Sequence, residues 1–291
     1  MLTGFLSRTP SASAISALCG VSTSTVAAAM TAQRFASEAH LQERAGSASG
    51  QVYLAVDYTP LVHQGTEMQG LSYQYSSSHQ SPKLAQRYTS LALVHRDELP
   101  VPLSLTYAVS HALQTTEYPY LTASRQLIES VKQLKTTGLQ FKGTLADGEF
   151  GTKEVVGYFV DHVEALLVRM KSNSQVELDD IKMSLKKLAM QYPRSSCHLY
   201  QDVGWRAKRV AVKFDGHSVG IIIVWRNING EWKPFFLLST FSAETSVGEL
   251  IRAWKARWGI EVIHRYLKQS LCLNRCQYRD IQAHQNWVDL A

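Results

Sequence analysis

The sequence predicts an α/β fold, a mixed sheet flanked by helices, with a mostly β segment inserted before the last long helix. Three observations predict it. Apolar runs of strand length, separated by polar turns, follow one another between Gln51 and Val109. Helix-like and strand-like segments then alternate from Thr122 to Met170. A second strand-rich stretch, with Asp-Gly and Asn-Gly between its runs, leads into one amphipathic helix at Glu249–Gln269.

In chain order, Ser11–Met30 comes first. In it an apolar turn leads to Gly20, then Val21, a Ser-Thr cluster able to cap a helix, and Val26. That spacing is close to a helix-turn-helix; a plain helical hairpin is the other reading. Met1–Arg34 has no acidic residue and is rich in Ser, Thr and Ala, as transit peptides are. With Arg8 and Arg34 as its sole cations and short, broken apolar runs, it lacks the rest of that pattern. Gly46–Gly50 reads as a linker, so residues 1–50 form a helical N-terminal region.

Gln51–Tyr58 alternates Val52, Leu54 and Val56 with Tyr53, Ala55 and Asp57, as a strand that Asp57 ends. Gly70–Ser76, Thr89–His95 and Val101–Val109 read as further, antiparallel strands. Thr122–Lys135 places Leu127, Ile128, Val131 and Leu134 on one helix face, and Gly138 closes it. Leu139–Ala146 is a strand closed by Asp147-Gly148, Gly151–Asp161 a short helix and Glu164–Met170 a buried strand, completing a first unit over residues 51–170. Residues 171–243 hold a polar, helix-like portion, Glu177–Met190. Strand runs follow at Arg209–Phe214, Val219–Trp225 and Phe235–Leu238. Asp215-Gly216 and Asn229-Gly230 between them are hairpin signals. Trp205, Arg206, Lys208, Arg209 and Lys213 offer cations and an aromatic ring to nucleic acid, or form a solvated strand face.

A hydrophobic fraction of 45% with 19% charged residues places the chain among globular proteins. No apolar run reaches the 18 or so residues of a membrane span, so a membrane partner is not expected. Its 4 cysteines form no C-x-x-C pair. Cys272, Cys276 and His284 lack an evident fourth zinc ligand, and free thiols of a reducing compartment fit better. P-loop and dinucleotide-binding glycine patterns are absent, which removes support for nucleotide-driven chemistry.

Charge placement is more informative. Arg252–Arg279 holds seven Lys and Arg with Glu261 as its single acid, which accounts for the whole formal net charge of +6. A localised basic surface suits a polyanion. On the Glu249–Gln269 helix, Trp254, Arg257, Glu261, Arg265 and Lys268 fall within an arc of roughly 80°. Ala253, Ala256, Ile260, Ile263, Leu267 and Leu271 occupy another face able to dock on a core. One carboxylate among cations suits a site for a metal ion and a phosphate chain; read alone, it equally suits a surface helix with i,i+4 ion pairs.

The spacing W-x2-R-x3-E-x6-K at Trp254, Arg257, Glu261 and Lys268, with Trp258, Ile260, Leu267, Gln269, Gln277 and Arg279 around it, resembles the Y-x2-R-x3-E-x6-K signature of DDE transposases of the insertion-sequence-four family. Leu237–Thr240 before the helix is also typical of them. The resemblance covers roughly Gln51 to the C-terminus. It implies a ribonuclease H-like core in which a first Asp ends the first strand, a second follows the fourth strand, and a Glu lies on a late helix after a β insertion. Asp57, Asp147 and Glu261 stand in that order and context, 90 and 114 residues apart.

By that resemblance the catalytic and metal-binding residues are Asp57, Asp147 and Glu261. The cofactor is Mg²⁺, with Mn²⁺ able to substitute. Asp57 would bridge two ions, with Asp147 and Glu261 each completing one. Trp254, Arg257, Arg265 and Lys268 would contact DNA. The implied activity is cleavage at mobile-element ends, commonly through a DNA hairpin, and joining to target DNA. The implied partners are double-stranded DNA and a second copy in a homodimer, and the implied location is the bacterial cytoplasm at the nucleoid. Trp254 departs from the family's Tyr and loses a phenolic hydroxyl. Members usually carry further C-terminal residues for dimer contacts, so the chain reads as a truncated copy. The alternatives are an inactive DNA-binding remnant and a ribonuclease H-like nuclease without strand transfer; the intact triad and the Arg257–Glu261–Lys268 spacing speak for the transposase.

Overall fold

A computed structural model describes residues 22, 24, 52–63, 66–76, 80–116, 118–269, 273 and 279–290. The helix-turn-helix reading of 11–30, except for Ser22 and Ser24, the linker at 46–50, Leu271, Cys272, Cys276, Gln277 and Ala291 lie outside the described residues.

Among the described residues the strands form one twelve-stranded mixed sheet. The chain enters on β1 (Tyr53–Val62), β2 (Ser72–Ser76), β3 (Ser81–Val94) and β4 (Val101–Tyr107). β3 lies antiparallel between β1 and the two outer strands β2 and β4. Helix α1 (Ala123–Thr136), capped by the Thr122 side chain, returns the chain to β5 (Thr144–Ala146). Helix α2 (Lys153–Asp161) crosses to β6 (Leu166–Met170). β1, β5 and β6 are parallel neighbours. The next segment does not build a sheet of its own. β12 (Glu231–Ser239) pairs antiparallel with β6, and β11 (His217–Ile228) and β10 (Trp205–Phe214) extend the sheet beyond it. β7 (Gln175–Leu178) and β8 (Ile181–Ser184) form the far edge. Helix α3 (Leu185–Gln191) and β9 (His198–Tyr200) complete the segment.

The pleat sorts alternate residues to two faces. Leu54, Val56, Ala146, Leu166 and Val168 face α1 and α2 in one core. Tyr53, Ala55, Leu145, Leu167 and Leu237 face a second core closed by Phe241, α4 (Val247–Ala256) and α5 (Trp258–Gln269). A third cluster joins Leu61, Tyr88 and Tyr107 to α6 (Ile281–Leu290). The result is the ribonuclease H-like mixed α/β arrangement with helices on both faces.

Four expectations change. The predicted strand does not stop at Asp57. β1 runs on to Val62, because β3 still pairs with it through Val62↔Ala85 after β5 has left its other edge at Val56↔Ala146. That half-free edge tolerates Pro60, which has no N–H to give. Leu139–Ala146 is strand only at its last three residues; before them Lys142 N–H bonds Val52 O at 2.9 Å without joining the ladder. Glu177–Met190 is not one helix but the β7–β8 hairpin followed by α3. Asp179 and Asp180 both take positive φ, 50° and 62°, and make the two-residue turn.

Glu249–Gln269 is two helices, α4 and α5, that meet at Arg257. Arg257 N–H still bonds Ala253 O, but Ile260 N–H bonds Arg257 O in a tighter turn. Gly259 lets α5 come against the β3–β4 corner: a Cβ there would lie 3.1 Å from Pro100 Cβ and 3.3 Å from Val94 Cγ1.

Candidate active site

The site is built where the parallel pairing of β1, β5 and β6 ends. Val56, Ala146 and Val168 are in register across β1, β5 and β6. The next residue on each chain is Asp57, Asp147 and Arg169. Alternation directs these three to the face covered by α4 and α5, since Ala55, Leu145 and Leu167 two residues earlier all pack there. Two carboxylates thus stand on adjacent strands, about 5 Å apart in the backbone by sheet geometry.

The turn at Arg257 brings the third acid to them. α5 is anchored by Ile260 and Ile263 in the second core. Arg257 Nη2 bonds Glu261 Oε1 at 2.9 Å, and Arg257 Nη1 lies 3.4 Å from Asp57 Oδ2. One guanidinium therefore ties the first strand to the helix. Its own side chain is 11% exposed, against 18% for Asp57 and 32% for Glu261.

The electrostatics follow from that crowding. Burial pushes the Asp57 carboxyl up to about 6, and the charges of Asp147 and Glu261 push the same way. Arg257 and the Tyr58 N–H, which donates to Asp57 Oδ1 at 2.8 Å, pull against it. Burial lowers the Lys268 ammonium, and the charge of Asp57 partly offsets this. Asp57, Arg257, Glu261 and Lys268 are thus brought into one field. Arg265, one turn beyond Glu261, is exposed.

Trp254 departs from expectation. Its indole is 8% exposed, within the second core, and the Arg257 guanidinium lies 5.0 Å from its ring centroid. The buried ring supports Arg257 and offers little surface for stacking on DNA. The β10 residues are also engaged internally. Arg209 bonds the carbonyls of Phe241 and Ser242, Arg206 bonds Cys197 O, and Lys213 pairs with Glu177 and Asp180. Lys208 lies over the Tyr192 ring, and Trp205 packs edge-on against Phe235.

Sequence reasoning missed two residues beside this cluster. Arg169 shares the row of Asp57 and Asp147, visible only once the register of β5 and β6 is known. His264 is buried on α5 with its Nε2 unpaired; burial and the nearby Lys268 and Arg257 charges push its imidazole down to about 3, so it stays neutral. The Leu237–Thr240 run has a structural role. Thr240 Oγ1 donates to Glu164 O at 2.6 Å and accepts from Leu166 N–H at 2.8 Å, fixing the end of β12 to the start of β6.

The donor set suits a hard, oxygen-seeking cation: three carboxylates, one of them largely buried and repelled by the other two. In this conformation no three His, Cys, Asp or Glu side chains among the described residues are gathered tightly enough to form a metal cage. Arg257 supplies the compensating charge instead.

Fold and site together define a ribonuclease H-like protein with an acidic cluster where the parallel pairing of its strands ends. The transposase DDE domain model matches residues 49–291, and the chain belongs to that family. No curated protein matches it.

Proposed function

We propose that this transposase cleaves DNA at the ends of a mobile element and joins those ends to target DNA by metal-dependent phosphoryl transfer, within the insertion-sequence-four branch. The observation that carries the reading is the tie between Asp57 and Glu261 through Arg257, with Asp147 beside Asp57 in the strand register.

Asp57, Asp147 and Glu261 would hold Mg²⁺, which when bound supplies an activated water and a stabilised leaving oxygen. The protein's own groups do the rest. Arg257 balances Asp57 and Glu261 in the free site, and its planar fork then turns to a phosphodiester oxygen. Trp254 keeps that guanidinium in place from beneath. Lys268, partly desolvated, faces the same field and favours the extra negative charge of the transition state. Neutral His264 adds no competing cation behind them. Arg265, exposed at the rim, takes a flanking phosphate. A homodimer fits the need to hold two element ends.

The test is Mg²⁺-dependent nicking of DNA carrying the element ends, wild type against Asp57→Ala. We expect activity to fall at least about 10³-fold, because the variant loses a carboxylate that the transition state requires. Equal nicking by both proteins would overturn the assignment.

A further inference from the structure

Next to Asp147 lies a cavity of about 400 Å³ whose lining includes Asp147, Arg169, Lys171, Ser172, Phe235 and Phe236. It opens at the carboxyl end of β6, where ligands of parallel sheets commonly sit. Its charge balance is unusual for a site beside a carboxylate. Glu149, also on its wall, is neutralised from outside by Arg87 at 2.5 Å, and Arg87 is itself stacked 3.6 Å from the Tyr58 ring centroid. Arg169 and Lys171 are exposed and make no ion pair among the described residues. Two free cations thus line a cleft that begins at the second Asp of the triad, with the buried rings of Phe235 and Phe236 behind them.

We infer that this cleft holds the DNA strand adjacent to the scissile phosphodiester, with Arg169 gripping one backbone phosphate through paired N–H donors and Lys171 taking the next. The inference rests on the transposase reading above. Arg169 is placed for this task by register. It stands one strand over from Asp147, on the same sheet face, so a phosphate at the carboxylates leaves its neighbour within reach of the guanidinium. A planar fork grips a phosphodiester bidentately, whereas the lysine acts as a point charge, so Arg169→Lys should recover only part of the function.

The experiment is fluorescence anisotropy with a short labelled DNA duplex at several salt concentrations, in an Asp57→Asn background that keeps the probe intact. Arg169→Ala should weaken binding about tenfold and Lys171→Ala about fivefold, and each should reduce the slope of log affinity against log salt by about 1. Lys132→Ala, on α1 across the sheet and paired with Glu129, serves as the control and should change neither quantity. The salt slope separates a phosphate contact from a folding defect. Lys171→Ala alters an exposed side chain outside the strands, so it reads the cleft even where Arg169→Ala lowers stability. Full-affinity binding with an unchanged slope in both variants overturns this inference and leaves the carboxylate assignment standing. Failure of the unsubstituted Asp57→Asn protein and of wild type to bind any duplex overturns both.

Discussion

The parallel strands β1, β5 and β6 and the hairpin run β10–β12 share one sheet but are held by different means. The hairpins are set locally. Phe214↔His217 and Ile228↔Glu231 leave two-residue turns, and Asp215-Gly216 and Asn229-Gly230 take the positive φ those turns require. The parallel strands have no such local device. β5 is three residues long, and its place depends on α1, α2 and the cores on both faces. The candidate site sits on the second kind. Carboxylates crowded against one another cost stability, and a framework cooperating over long range can hold them where a single turn could not.

The first test lies at the far end of β1, which the β3 ladder and the contacts of α6 secure. His63 follows β1 directly, and its ring meets that of His284 on α6 at 5.2 Å. Tyr88 of β3 shares a 2.5 Å hydrogen bond with His284 Nδ1, while Gln285 Nε2 donates to Leu105 O of β4 at 2.7 Å. Burial pushes His63 down to about 4 and His284 down to about 3. The unfolded chain binds these protons first, near pH 6.5. The stability that rests on keeping the pair neutral is therefore complete above about pH 6.5 and is lost progressively as pH falls from there towards about 4. Thermal melts from pH 7.5 to 4.5 should show Tm falling, with a flatter profile in His63→Leu/His284→Gln. The variant comparison isolates the pair from Asp57, whose raised pKa acts in the opposite sense. Parallel profiles for the two proteins would exclude the pair as the source.

That contrast also explains what the sequence made legible. The hairpin turns and the buried face of α1 could be read from residues, because turn chemistry and periodicity are local; Asp57, Asp147 and Glu261 are singled out through the family resemblance instead. The extents of β1 and β5 could not, since they depend on which neighbour still pairs at each edge. Nor could the break at Arg257: Glu249–Gln269 has an unbroken helical pattern, and only the fold shows Gly259, just after the break, seated against Pro100 and Val94. Trp254 fell on the predicted polar arc for the same reason. Arg169 carried no signal of its own; an exposed Arg in a strand becomes a candidate only through its neighbours.

The hairpin side should yield a smaller effect, confined to stability. Gly230 has φ +88°, with nothing within 4 Å of an added Cβ. Gly230→Val is thus strained by its backbone alone, at about 1–2 kcal/mol. We expect the denaturation midpoint to drop accordingly while Mg²⁺-dependent nicking per folded molecule stays at the wild-type level. A loss of nicking beyond the unfolded fraction would show that the hairpins and the parallel strands are coupled more tightly than their construction suggests.

The smallest effect concerns Trp254, which lies under the site without belonging to its surface. Trp254→Phe keeps an aromatic face for Arg257 but weakens the cation–π contact and leaves a gap, at a cost of about 1 kcal/mol. If the indole acts only through Arg257, duplex affinity should change less than about twofold, since the ring is shielded from DNA, while nicking falls several-fold as the guanidinium loosens. Paired with Arg257→Ala in a double-mutant cycle, the two substitutions should then be non-additive, because each removes the same interaction. Additive losses, or a tenfold drop in duplex affinity from Trp254→Phe alone, would instead return the indole to the DNA contact surface and require α4 to turn outward when DNA binds.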